Sequence, residues 1–203
     1  MADRVRTSEL KSKFLHLAQT SVFTVKLQPP SAVVNYLREK GFNYSRGGEG
    51  VELRCKDTQL PGSNLETHEQ TNDYVGMTER MAHRRSFDKV QFEFYVDDKY
   101  DVIEMFDGWI EYISGQTTDE QSPYKGYRMN YPASYKTNVF ITKFEKGYGN
   151  PKQKDNSYQM DYSLVNAFPI TSMPMSVNYG QSSILSYSVV MEFTKYTKKR
   201  RTL

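Results

Sequence analysis

Residues 83–98 read HRRSFDKVQFEFYVDD, and two different accounts fit them. A histidine, two arginines and a terminal pair of aspartates so close together could form a catalytic or phosphate-binding cluster. The alternation inside the stretch favours the second account. Val90, Phe92, Phe94 and Val96 fall on one face and Lys89, Gln91, Glu93 and Tyr95 on the other, the period of two that marks a half-buried strand. His83, Arg84 and Arg85 are then the lead-in to that strand. Asp97 or Asp98 accepts backbone N–H bonds as the cap of a following helix. On this account the stretch is turn, strand and cap, with no chemistry in it.

The capped helix is predicted to run to about Ile113, with Gly115 closing it. Val102, Phe106, Trp109, Ile110 and Ile113 recur at i, i+4, i+7, i+8 and i+11, one apolar stripe expected to pack into the core. Upstream, Phe23, Val25 and Leu27 alternate in a first strand that Pro29-Pro30 stops. Ser31 is placed as the cap of a short helix, AVVNYLREK, that ends at Gly41, and NYSRGGEG after it is a loop by composition. Val51–Lys56 alternates again with Val51, Leu53 and Cys55 inward, and Leu60-Pro61-Gly62 turns the chain. Residues 63–82 are polar and weakly patterned, an extended edge segment at most.

Downstream, Gln116–Lys136 is a loop rich in Tyr, Pro and Gly, long enough to imply more than connection. Asn138–Lys146 and Tyr158–Asn166 are expected as a hairpin joined through GYGNPKQKDN. Phe168-Pro169-Ile170 breaks the pattern, and Ser183–Thr194 is the last strand. Leu185, Tyr187, Val189, Met191 and Phe193 share its apolar face, while Ser186, Ser188 and Glu192 share the other. Five or six strands and one strong helix, without βαβ alternation, specify a mainly β fold. It is expected as an antiparallel sandwich or barrel with one flanking helix. The domain is placed at 19–196, with an arm at 1–18, an insertion at 28–50 and a basic tail at 197–203.

Composition agrees with strands that have one wet face. The chain carries 16 Tyr and 11 Phe, yet only 37% of its residues are hydrophobic. One cysteine excludes an intrachain disulfide, and neither a signal segment nor a membrane-spanning apolar run is present, so folding in a cytosol is expected. The net charge of +3 is unevenly placed. Lys195, Lys198, Lys199, Arg200 and Arg201 leave 22 basic and 24 acidic residues in positions 1–194, a body at −2. A domain-wide nucleic-acid footprint is therefore missing.

Chemistry finds little support. His16, His68 and His83 lie far from one another and from Cys55 in sequence, outside any metal-ligand spacing, so no metal or cofactor is expected. No GxSxG elbow, P-loop or GxGxxG occurs. Asp97-Asp98 already has a structural task as a cap. The basic end could contact phosphates, dock on an acidic neighbour or remain solvated, and the tyrosines are expected in packing or a subunit interface rather than in base stacking.

Three segments in order, opened by QTSVFTVKL, resemble the tail-tube proteins of contractile-tailed bacteriophages. They are RCKDTQLPG, RRSFDKVQFEFYVDDKYDVIEMFDGWI and FPITSMPMSVNYGQSSILSYSVVMEFTKY. The matching positions are Cys55, Lys56, Leu60 and Pro61; Arg85, Ser86, Phe87 and Asp88; Trp109; and Phe168, Pro169 and Ile170. The resemblance implies a fold shared with the tubes of type VI secretion systems and R-type pyocins. It implies a hexameric ring, stacked into a tube that conducts DNA, surrounded by sheath, filled by a tape-measure protein and seated on a baseplate. It also implies no catalytic residue, no membrane anchor, no specific DNA binding, and a place in the virion tail after assembly in the host cytoplasm. Ser186, Ser188, Glu192, Arg84 and Arg85 are the candidate lumen or interface residues. The insertion at Gln28–Gly50, the loop at Gln116–Lys136 and KKRRTL depart from the simple tube pattern and suit a ring at the tube's end, a tube initiator or baseplate adaptor. From other classes, a nucleic-acid-binding module and, last, an enzyme stay as rivals.

Overall fold

The computed structural model describes residues 18–42, 54–71, 76–115, 128–144, 158–180 and 183–202. The expected arm at 1–18 except its last residue, NYSRGGEG, Val51–Leu53, most of the long loop and GYGNPKQKDN lie outside the described residues.

Within them the strands are β1 (Phe23–Leu27), β2 (Cys55–Thr58), β3 (Asn64–Gln70), β4 (Glu79–Ser86), β5 (Val90–Tyr95), β6 (Thr137–Phe144), β7 (Tyr158–Ser172), β8 (Ser186–Glu192) and β9 (Lys195–Thr202). The helices are α1 (Ser31–Glu39), α2 (Asp101–Ser114) and α3 (Pro132–Tyr135). All strand pairings are antiparallel. Among the described residues, seven strands form one sheet in the order β1-β6-β7-β8-β5-β2, with β9 added alongside β7, while β3 and β4 pair only with each other. The fold is mainly β and sandwich-like, with few helices.

The pivot is β7, whose fifteen residues belong to two wings. Its first half lies between β6 and β9, and its last residues pair with β8. Asn166 in between has φ +57, and the register shifts between Thr137 and Val139 and again between Pro169 and Thr171. Such irregularities bend a strand and pass it from one sheet to another. Phe168-Pro169-Ile170 therefore does not end the strand. Pro169, which has no N–H to donate, sits where the ladder is already broken.

α2 packs against β7, β8 and both other helices. Val102, Phe106 and Trp109 are fully buried, and Ile113 is partly buried against the core. Ile110 departs from expectation: it is only half-buried and outside the core cluster, while Met105 is buried in its stead. At about 100° per residue, Met105, Phe106 and Trp109 straddle the stripe and Ile110 falls on its margin. The helix start also differs. Tyr100, at φ 59, is the capping residue, and Asp97 accepts the Asp101 N–H through Oδ1 at 3.3 Å while its Oδ2 meets Arg54 Nη1 at 2.9 Å. Asp97 is thus a tie ahead of the helix. Gly115 ends the helix as expected, at φ 67, and Asn130 donates to the carbonyls of Ile113 and Tyr112.

Ser31 is the first residue of α1 and makes no side-chain cap bond; Pro30 occupies the cap position. Val33 and Leu37 on α1 are buried, and a Cβ at Gly108 would stand 2.4 Å from Leu37 Cδ2. The expected insertion is therefore a core layer as far as Phe42, held where α2 presents no side chain. Among the described residues nine strands stand where five or six were expected, because residues 63–82 contribute β3 and the start of β4, and the basic end forms β9.

Candidate assembly surface

Among the described residues, three parts of the fold are left uncovered. The first is the β3–β4 hairpin, which has no core side. Only Glu66 and Ser86 of its fifteen residues are half-buried, and the rest are exposed. Arg84 and Arg85 do not lead into β5; both stand within β4. Arg84 grips Glu66 with Nε at 3.0 Å from Oε2 and Nη2 at 3.1 Å from Oε1. Arg80 and Glu69 pair at 2.7 Å, and His83 Nδ1 lies 3.2 Å from the Glu66 carbonyl. Arg85 reaches Ser63 Oγ at 3.0 Å, and its guanidinium sits 5.0 Å from the Phe87 ring and 5.7 Å from Tyr196. Exposed ion pairs add little stability, and a lone two-stranded hairpin is marginal in water. Leu65 and Met81 on this arm are more than half exposed.

The second part is the set of open edges. β1, β2 and β9 each pair on one side only among the described residues. Open edges accept strands from another chain. The basic residues expected as a tail beyond the domain form one of these edges. Tyr196 turns toward the core beside Phe87 and Phe193, and Arg201 Nε binds Asp161 Oδ2 at 2.7 Å. Thr142 donates to Asp161 Oδ1 at 3.0 Å, so this carboxylate clips β9 and β6 to β7. β9 offers a single apolar residue, Tyr196, too little for a period to register.

The third part is a groove of about 780 Å³ beside the β7–β8 connection, lined by Met173, Met175, Val177, Ile184, Ser186 and Ser188 among others. Ser186 and Ser188 stand together in its wall, half-buried. Glu192 is exposed at the other end of β8, opposite Phe168, and neither Arg84 nor Arg85 lines the groove. The five candidate lumen or interface residues therefore occupy separate places.

The outer faces of the two wings differ in sign. Alongside β8 and β5, Glu93, Glu192 and Asp57 face outward with Lys56, and exposed Lys89 precedes β5 in the same alternation, three acids against two cations among the described residues. Lys56 Nζ lies 2.7 Å from Glu93 Oε1, which raises the lysine pKa and lowers that of the carboxyl. On the other wing, Lys26, Lys195, Lys199 and Arg201 face outward with Asp161, four cations against one acid.

Groups capable of chemistry serve packing. Tyr187 donates to Asp107 Oδ1 at 2.7 Å, and burial followed by this bond holds its phenol pKa well above the usual range. Burial, then the Asp57 charge, pushes the Cys55 thiol up to about 12. Among the described residues, no three His, Cys, Asp or Glu side chains are grouped to hold a metal ion, and no helix is long and apolar enough to cross a membrane.

Solved structures share this fold at low identity. A chain of the anti-feeding prophage baseplate, in a cryo-EM structure symmetrised sixfold, is 11% identical with a TM-score of 0.55, covering 90% of this chain and 97% of that one. A chain of the PVC sheath–tube complex, from an extracellular contractile injection system in its extended state, is 13% identical at a TM-score of 0.56, covering 96% and 98%. A chain of the anti-feeding prophage cap, which terminates the tube, is 12% identical at 0.56 and covers 91% of each. A search of curated proteins found no significant sequence relative. The profile of phage tail tube proteins, however, matches residues 18–199, nearly the whole chain, and the protein belongs to that family, a structural component of the tail.

Proposed function

We propose that six copies of this chain close into a ring of the inner tail tube, and that stacked rings enclose the channel through which DNA leaves the virion. The observation that carries this reading is a sheet with open edges combined with an arm that has no core of its own. A ring supplies what each lacks: strand partners for the edges and a surface for the hairpin. The sixfold symmetry of the baseplate structure that shares this fold supports the ring order. Sheath, tape-measure and baseplate proteins are the partners of such a ring, assembled in the host cytoplasm.

A ring at the tube's end is the second reading, favoured by the equal likeness to baseplate and cap chains. The departures from the simple tube pattern weigh less for it now, since the shared fold spans 96% of this chain in the sheath–tube structure. Light scattering and negative-stain microscopy of the purified chain test the ring: hexameric rings or tubes with a central hole support it, and a monomer at all concentrations overturns it. Copies per virion then separate the roles, many stacked rings for the tube and one or two for an end ring.

A further inference from the structure

The outer face of the β1-β6-β7-β9 wing is a cationic, hydroxyl-lined sheet surface. We infer that it binds the phosphate backbone of nucleic acid, weakly and without sequence preference. The strand register lays out the face in rows. Thr24, Thr142, Asp161 and Lys199 form one row, and Lys26, Phe140, Ser163 and Thr197 the next, with Lys195 and Arg201 further along β9 in either direction. Asp161 is the one carboxylate in this set, and Arg201 offsets it at 2.7 Å. Lys26, Lys195 and Lys199 are exposed and have no acidic partner among the described residues, so three charges are uncompensated.

Geometry and chemistry favour a phosphate chain over an acidic protein. Alternate residues of β9 repeat at about 6.7 Å, close to the axial rise of two phosphates of one DNA strand at about 3.4 Å each along the duplex axis. Ser163, Thr24 and Thr197 place hydroxyls between the cations, the polar type that contacts phosphate oxygens. A protein interface would want exposed apolar anchors; on this face Phe140 is 39% exposed, while Phe144 and Val165, in the rows of Arg201 and Lys195, are half-buried. The property belongs to the single chain and does not require the ring.

Fluorescence anisotropy with a labelled DNA duplex of arbitrary sequence tests it, at salt from about 50 to 200 mM. Three uncompensated cations give a slope of log K against log salt of about −2.7, a loss of roughly 40-fold over that range. Lys26→Ala, Lys195→Ala and Lys199→Ala each reduce the slope by about 0.9. Lys198→Ala, on the opposite face of the same strand, leaves the slope unchanged. Asp161→Asn frees Arg201 and tightens binding, a gain that misfolding cannot produce. The inference is overturned if Lys198→Ala loses as much as Lys199→Ala, because net charge alone then explains binding. An unchanged slope in the triple lysine variant overturns it too, as does a polyglutamate peptide that binds more tightly than the duplex.

Discussion

Replacing Trp109 with alanine probes the packing of α2 on the sheet. Trp109 is the chain's only tryptophan, no part of it reaches solvent, and its Nε1–H donates to the Tyr135 carbonyl at 3.1 Å. Truncating a buried indole costs about 3–5 kcal/mol through lost transfer energy and the cavity left behind. The orphaned Tyr135 carbonyl adds about 1 kcal/mol. Trp109→Ala should therefore lose roughly 4–6 kcal/mol, a large part of the ~5–15 kcal/mol that holds a domain of this size. Trp109→Phe keeps most of the apolar contact and should lose about 1–2 kcal/mol, chiefly the hydrogen bond. Guanidinium unfolding followed by far-ultraviolet circular dichroism measures both variants, neither of which retains the fluorophore. The unsubstituted chain's own emission gives an independent midpoint and should shift to the red as the indole meets water. A Trp109→Ala chain within about 1 kcal/mol of the original would refute the placement, since that is the range of ordinary surface changes. Native stability with lost assembly would move Trp109 from the core to an interface.

Gly115→Ala should destabilise by about 2 kcal/mol or more in urea unfolding. A left-handed alanine costs about 1–2 kcal/mol, and its Cβ would also lie 2.0 Å from the Arg128 carbonyl oxygen. Tyr187→Phe removes the bond to Asp107 and should cost about 1.5–3 kcal/mol by the same measurement, the range for hydrogen bonds to a charged group. Cys55 should resist iodoacetamide in the folded chain up to strongly alkaline pH and react readily once unfolded. Its raised pKa favours the fold below about 9.0, and that contribution fades as pH climbs toward about 12, so a Cys55→Ala chain should lose less stability across that window. The thermal midpoint should rise with protein concentration, because copies that bury one another's edges stabilise the folded state by mass action; a midpoint constant over a hundredfold range of about that size would count against assembly.

Elements with a one-sided apolar period were legible in the sequence. β1, β5, β8 and α2 each bury alternate or helically spaced large residues, and a period needs only that. β3 and β4 were not legible because neither face meets the core, so no apolar alternation exists to find. Their only signal is the complementary order of charge, Glu66 against Arg84 and Glu69 against Arg80, visible once the register is known. The bend in β7 was mistaken for an ending, since proline marks a broken ladder in either case. The candidate surface was less legible than the fold. Ser186 and Ser188 do share a groove wall, but Arg84 and Arg85 lie on a separate arm, because assembly surfaces are set by tertiary placement rather than by local pattern.

If a ring of this chain conducts DNA, the place of β9 on the sheet decides what the polymer meets. With the positive charge in a tail, a near-neutral body would leave the polymer untouched. With Lys195 and Lys199 held on the sheet face, a channel lined by that face would touch phosphates throughout passage. Such contact does not by itself hold the polymer back. Every phosphate along DNA is alike, so each contact released on one side is remade on the next, and the free energy is level along the path. Sequence-independent binding of about 10⁻⁴–10⁻⁶ M exchanges quickly and permits sliding, as it does for proteins that move along a duplex. What would arrest the polymer is a face that discriminates among bases, whereas this one carries lysines and hydroxyls, the types that contact phosphate oxygens. Weak, uniform attraction is therefore compatible with a conduit, whereas a deep pocket or a base-reading array in the same place would not be.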